Sequence, residues 1–148
     1  MSKLTILCVD DETMILNSLR RQLKQTFNDD YLYEAAESAS EAFEIIEELK
    51  EDGTDVIVIV SDWLMPGMKG DEFLCEVHKR FPRVVKIMLT GQADDAAIER
   101  VKTEADLHQH LAKPWDADEL MSCIRSGLRK ITASTETSCD TSLDAKAA

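Results

Sequence analysis

The chain has 148 residues, four cysteines and a net charge of -12, which describes one compact domain and argues against one that grips nucleic acid through clustered Lys and Arg. At this length roughly 70% of the unfolded surface can be buried, so the core needs no disulfide or structural metal to hold it. There is no internal repeat and no apolar run long enough to span a bilayer, and Met1-Ser2-Lys3 leads into a strand rather than a secretory signal; the expected location is cytoplasmic, with no membrane partner.

Apolar runs of strand length alternate with segments at helical spacing. The first strand, β1, is expected at residues 4–9, followed by α1 with Leu16, Leu19, Leu23 and Phe27 on one face. Then come β2 at residues 31–36 and α2 with Ala39, Ala42, Phe43, Ile46 and Leu49. Ser38 and Glu41 form a capping box that opens α2, and Gly53 closes its polar end. β3 is expected at residues 56–61, with Pro66 and Gly67 breaking the chain before α3, which carries Phe73, Leu74, Val77 and Phe81. β4 at residues 84–89, α4 with Ala97, Ile98 and Val101, β5 at residues 107–112 and α5 with Leu120, Ile124 and Leu128 complete the series. Near-continuous apolar runs such as residues 56–60 suit strands covered by helices on both faces. The expected class is therefore α/β, a (βα)5 doubly wound five-stranded parallel sheet.

Cys8, Cys75 and Cys123 fall on core elements and no CxxC spacing joins any of the four cysteines, so buried reduced thiols are expected. Most of the acidic excess, Glu37, Glu41, Glu44, Glu47, Glu48, Glu51 and Asp52, lines the second helix and its end and reads as a solvated face. From Thr132 the composition shifts to Ser, Thr, Ala and Asp, so residues 1–131 are expected to form the domain and 132–148 a disordered tail or the start of a linker.

Four of the strands end in polar residues of different kinds: Asp10 and Asp11 after β1, Asp62 after β3, Thr90 after β4 and Lys113 after β5. In a parallel sheet these ends share one edge, where ligands bind in open α/β folds. Taken singly, each would be a turn, cap or surface residue. Together they bring three carboxylates, a hydroxyl and an ammonium to one place. Three carboxylates about 4 Å apart repel by roughly 4 kcal/mol per pair at an effective dielectric near 20, so the cluster calls for cations. Lys113 supplies one charge and Mg²⁺ suits the rest, because it takes one or two carboxylates, keeps waters and completes its shell with phosphate oxygens. Asp62, alone at the end of the most apolar strand, is the candidate nucleophile for an aspartyl phosphate, and Asp10 with Asp11 the candidate metal pair. A hydrogen bond from Thr90 to a phosphoryl oxygen would make the site a switch as well.

The chain resembles the receiver domain of two-component response regulators from about Leu4 to Leu128. The resemblance is carried by Val9-Asp10-Asp11, by Ser61-Asp62-Trp63-Leu64-Met65-Pro66-Gly67-Met68-Lys69-Gly70, by Leu89-Thr90-Gly91 and by Lys113-Pro114. It implies the flavodoxin-like receiver fold, phosphorylation of Asp62 by a sensor histidine kinase or a phosphotransfer protein, and catalysed loss of that phosphate. It also implies that Asp10, Asp11, Asp62 and the backbone carbonyl of Leu64 surround Mg²⁺, with Mn²⁺ as a substitute. Lys113 would pair with the phosphoryl group, and Thr90 would report it to the α4-β5-α5 face, through which a homodimer or a partner binds. Leu64 and Gln92 would flank the path of the attacking water and tune dephosphorylation. The sequence departs from the family at His110, where a Tyr or Phe is usual; His110 would then be the switch ring. His108 and His110 share a strand face, but two ligands without a third do not make a metal site.

Two readings follow: a phosphorylation switch whose only chemistry is on itself, or a pseudo-receiver that docks a partner without using phosphate. A phosphatase with an Asp nucleophile would want a second aspartate two residues beyond Asp62, where Leu64 stands.

Overall fold

The computed structural model describes residues 4–91 and 95–140, with side chains through Ile131. The strands are β1 (Thr5–Val9), β2 (Leu32–Ala36), β3 (Val56–Asp62), β4 (Val85–Thr90) and β5 (Gln109–Ala112). The helices are α1 (Thr13–Phe27), α2 (Ala39–Glu51), α3 (Gly70–Arg80), α4 (Asp95–Glu104) and α5 (Ala117–Asp140). All strand pairs are parallel, in the order β2-β1-β3-β4-β5.

Side chains alternate across the sheet because strand periodicity is two, and each face has its own core. Ile6, Cys8, Val58, Val60, Ile87 and Leu89 pack with Leu16, Leu19 and Leu23 of α1 and Leu120 and Ile124 of α5. Leu7, Val9, Ile59 and Met88 pack on the other side with Ala42 and Ile46 of α2, Phe73, Leu74 and Val77 of α3 and Val101 of α4. Helices on both faces make the doubly wound architecture that the continuous apolar strands imply. Strand order reverses between β1 and β3, and the crevice at such a reversal is where these sheets bind ligands.

Local chemistry sets the element ends. Ser38 caps α2, its hydroxyl accepting from the Glu41 amide at 3.1 Å; the Glu41 carboxylate reaches back to the Glu37 amide at 2.7 Å, one residue before the cap. Gly53, at φ 81°, closes the helix in the left-handed conformation that glycine adopts freely. The seven acidic residues of α2 and its flanks are exposed, as a solvated face requires. β5 starts two residues later than expected, because Leu107 still donates to the Val101 carbonyl of the preceding helix and Asp106 turns at φ 53°. β4 begins at Val85, since Val84 donates back to Phe81 in a turn. The backbone of α5 stays helical past Thr132 to Asp140, a stretch without Gly or Pro to stop it. Cys8 and Cys75 are buried free thiols and Cys123 is half-buried; burial pushes Cys8 up to about 12, which leaves it an unreactive core residue.

Candidate functional site

Strand register builds the site. Val9 of β1 lies opposite Ser61 of β3, so the next residues, Asp10 and Asp62, come out side by side. Asp62 lies opposite Leu89 of β4, one residue before Thr90, and Thr90 lies opposite Ala112, one residue before Lys113. The ends of β1, β3, β4 and β5 thus finish at one level. The Lys113 Nζ bridges Asp10 Oδ2 at 2.8 Å and Asp62 Oδ1 at 3.0 Å. The other Asp10 oxygen accepts from the Glu12 amide at 2.8 Å at the head of α1. Carboxylate oxygens of Asp10, Asp11 and Asp62 lie within 4.8 Å of one another, close enough to share one ion.

The loops around this edge are tied down. The Trp63 amide donates to the Leu89 carbonyl at 3.1 Å, and the Trp63 carbonyl accepts from Gly70 at 2.7 Å. A Cβ on Gly70 would collide with the Asp62 carbonyl oxygen and sit 2.8 Å from the Trp63 Cα, so only glycine lets α3 start against the end of β3. Met65 is buried and anchors the loop after β3, whereas Leu64 is 46% exposed. After β5, the Trp115 indole donates to Gln22 of α1 at 3.0 Å.

Asp10 is 1% exposed and Asp62 6%. Burial raises the Asp62 carboxyl above its ordinary value and the Asp10 charge adds to that rise, against the pull of the hydrogen bond from Lys113. Burial would lower Lys113, but its hydrogen bonds to the two carboxylates outweigh that and hold its value up. One ammonium against three carboxylates leaves a negative excess that a divalent cation fits. The donor set is all oxygen, as Mg²⁺ and Mn²⁺ prefer.

Of the residues singled out in the sequence, Asp10, Asp11, Asp62 and Lys113 converge directly. Thr90 ends the adjoining strand, buried, with its carbonyl accepting from the Lys113 amide at 2.9 Å. His110 is half-buried on β5 opposite Met88, two strand positions before Ala112. Gln92 lies outside the described residues. The sequence reading did not pick out Asp71, a buried acid in the first turn of α3 that accepts from the Trp63 indole at 3.1 Å. An acid opening a helix is ordinary, so only the pairing of Asp71 with Trp63 eight residues earlier marks it. A cavity of about 820 Å³ lined by Phe81, Val84, Asp106, His108 and Lys130 lies at the opposite edge of the sheet and contains none of these groups.

A family model described as the response regulator receiver domain matches residues 6–125. The chain belongs to that family. It is 37% identical over 124 residues, 84% of its length, to the hydrogenase transcriptional regulatory protein HoxA of Cupriavidus necator, of which it spans only 24%. Among solved structures it resembles a CheY-like response regulator receiver domain protein from Methanospirillum hungatei JF-1, with 28% identity, a TM-score of 0.79 and coverage of 90% of this chain and 99% of that one. It also resembles the beryllofluoride-activated NtrC4 receiver domain dimer, with 26% identity, a TM-score of 0.73 and coverage of 86% and 98%. The fold is the flavodoxin-like receiver fold, and the chain is a receiver domain of two-component signalling.

Proposed function

We propose that this receiver is a switch that takes a phosphoryl group onto Asp62 from a sensor histidine kinase or a phosphotransfer protein. A carboxylate oxygen of Asp62 attacks phosphorus, the bond from phosphorus to the donor nitrogen breaks, and the donor imidazole leaves with the electron pair. The observation that carries this reading is the Lys113 bridge to Asp10 and Asp62, since an ammonium held on the acceptor carboxylate is placed to meet the charge of the incoming group. Asp10, Asp11, Asp62 and the backbone carbonyl of Leu64 would hold Mg²⁺ or Mn²⁺. When bound, the ion offsets the carboxylate excess and the phosphoryl oxygens. The protein contributes position and charge, as phosphoryl transfer requires.

On this reading Thr90 bonds the phosphoryl group, His110 is the ring that follows it, and Leu64 and Gln92 set the dephosphorylation rate. The signal leaves through α4-β5-α5, by homodimerisation or by binding a partner. Residues 1–131 form the switch and 132–148 its tail or linker, in the cytoplasm; no described helix is long and apolar enough to cross a membrane. The chemistry is confined to the domain's own aspartate, with no external substrate turned over.

Mass spectrometry after treatment with acetyl phosphate and Mg²⁺ tests the assignment. One phosphate is expected on the wild type, none on Asp62→Asn and none in chelator. A wild type that takes no phosphate from acetyl phosphate or from histidine-phosphate donors would leave the docking module as the correct reading.

A further inference from the structure

Trp63, the residue after the acceptor, is the first member of a polar chain that runs to α4. Its indole donates to Asp71 Oδ1 at 3.1 Å, and the other oxygen of that carboxylate accepts from Arg100 on α4 at 3.4 Å. The Arg100 Nε pairs with Glu104 Oε1 one turn further along at 3.5 Å, and the Cys75 thiol of α3 lies 4.0 Å from the same oxygen. Asp71 is buried while the Arg100 side chain is 42% exposed. A pair between two exposed groups would contribute little. Here the Asp71 side chain keeps only 12% of its exposure, and withdrawing the guanidinium would leave it the indole and the head of its own helix.

We propose that Asp71 and Arg100 are positioning residues that couple α4 to the acceptor loop, holding α4 in the arrangement that accompanies a free Asp62 carboxylate. The proposal rests on the reading of Asp62 as phosphoacceptor. Lys113 sits on Asp62 at 3.0 Å, so the arrangement described is that of the free carboxylate. The Trp63 amide is bonded to the Leu89 carbonyl, one residue before Thr90. Movement of that strand end toward a phosphoryl group therefore reaches Trp63, then Asp71, then Arg100. In the other direction, α4 cannot slide along α3 without pulling Arg100 off Asp71. A tie made in one of two states opposes the other, and the coupling is reciprocal: loosening α4 must tighten the site for a phosphoryl mimic.

The test uses the full chain in a Trp115→Phe background, so that Trp63 is the remaining tryptophan. Arg100→Met is expected to bind beryllofluoride about fivefold more tightly at saturating Mg²⁺, near the low end of measured allosteric couplings. Mg²⁺ affinity without beryllofluoride should change by less than about twofold, which separates coupling from general loosening of the site. Unchanged or weaker beryllofluoride binding by Arg100→Met, where the parent binds it, overturns the relay. A parent that binds no beryllofluoride overturns the acceptor reading instead. The relay is then judged on acrylamide quenching of Trp63, expected to rise in Arg100→Met as Asp71 loses its anchor, and unchanged quenching overturns it.

Discussion

Lys113, one residue past β5 at the C-terminal edge of the sheet, and Lys86, second in β4 near the opposite edge, are both largely withdrawn from water. Lys113 keeps 17% of its side chain exposed and Lys86 is 1% exposed. Lys113 meets two carboxylates, which hold its charge on against the effect of burial. Lys86 donates to the Val84 carbonyl at 2.6 Å, and burial brings it down to about 8, with Asp106 acting the other way and Lys130 adding to the fall. The difference lies in the partners, not in depth. At the C-terminal edge a cation is needed because three carboxylates have been gathered there. At the other edge a cation is carried inside with a neutral acceptor.

That contrast breaks first at Lys113. Removing it leaves Asp10 buried beside Asp62 with no cation between them, and breaking a buried pair costs about 3 kcal/mol. Lys113→Ala is therefore expected to lose about that much stability in chelator, read by urea denaturation. Mg²⁺ should restore part of it, since the ion meets the same carboxylates. A variant as stable as the wild type in chelator would mean that the bridge does not neutralise the cluster.

Lys86→Met should act in the opposite direction, raising stability by about 2 kcal/mol at pH 7, because a buried charge is replaced by a thioether chain of similar length. The folded value of about 8 lies below the ordinary 10.5. Between those two values the unfolded chain binds more protons than the folded one, so wild-type stability rises with pH there and the full cost is felt below about 8. The advantage of Lys86→Met should thus shrink from pH 8 toward 10.5. A gain that stays constant across that range would assign it to packing rather than charge.

The two edges also differ in how much of them was legible in the sequence. Asp10, Asp62, Thr90 and Lys113 each stop an apolar run, and a sheet of parallel strands converts that one-dimensional pattern into a cluster. Lys86 interrupts the run at residues 84–89 without stopping it; periodicity identifies the strand but not the depth of a single polar residue within it. Asp71 and Arg100 were invisible for a related reason. Each is ordinary on its own helix, and only the packing of α3 against α4 brings them together. The strand starts that shifted, at β4 and β5, depend on the turn that bonds Val84 back to Phe81 and on a left-handed Asp106.

The smallest expected effect sharpens the division of labour at the C-terminal edge. Asp11 is exposed and takes no part in the Lys113 bridge, yet its carboxylate lies within the 4.8 Å group that could hold an ion. If its role is to touch the metal, its charge matters to the ion and hardly at all to the fold. Asp11→Asn is then expected to keep its chelator stability within about 0.5 kcal/mol, as exposed positions do. Mg²⁺ affinity should fall about tenfold, or about 1.4 kcal/mol, read by titration of Trp63 fluorescence. Lys113→Ala is the mirror case: it should lose stability in chelator and bind Mg²⁺ at least as well, because on the proposed reading the lysine is no ligand of the ion and competes with it for Asp10 and Asp62. Asp11→Asn with unchanged Mg²⁺ affinity would remove Asp11 from the proposed metal set.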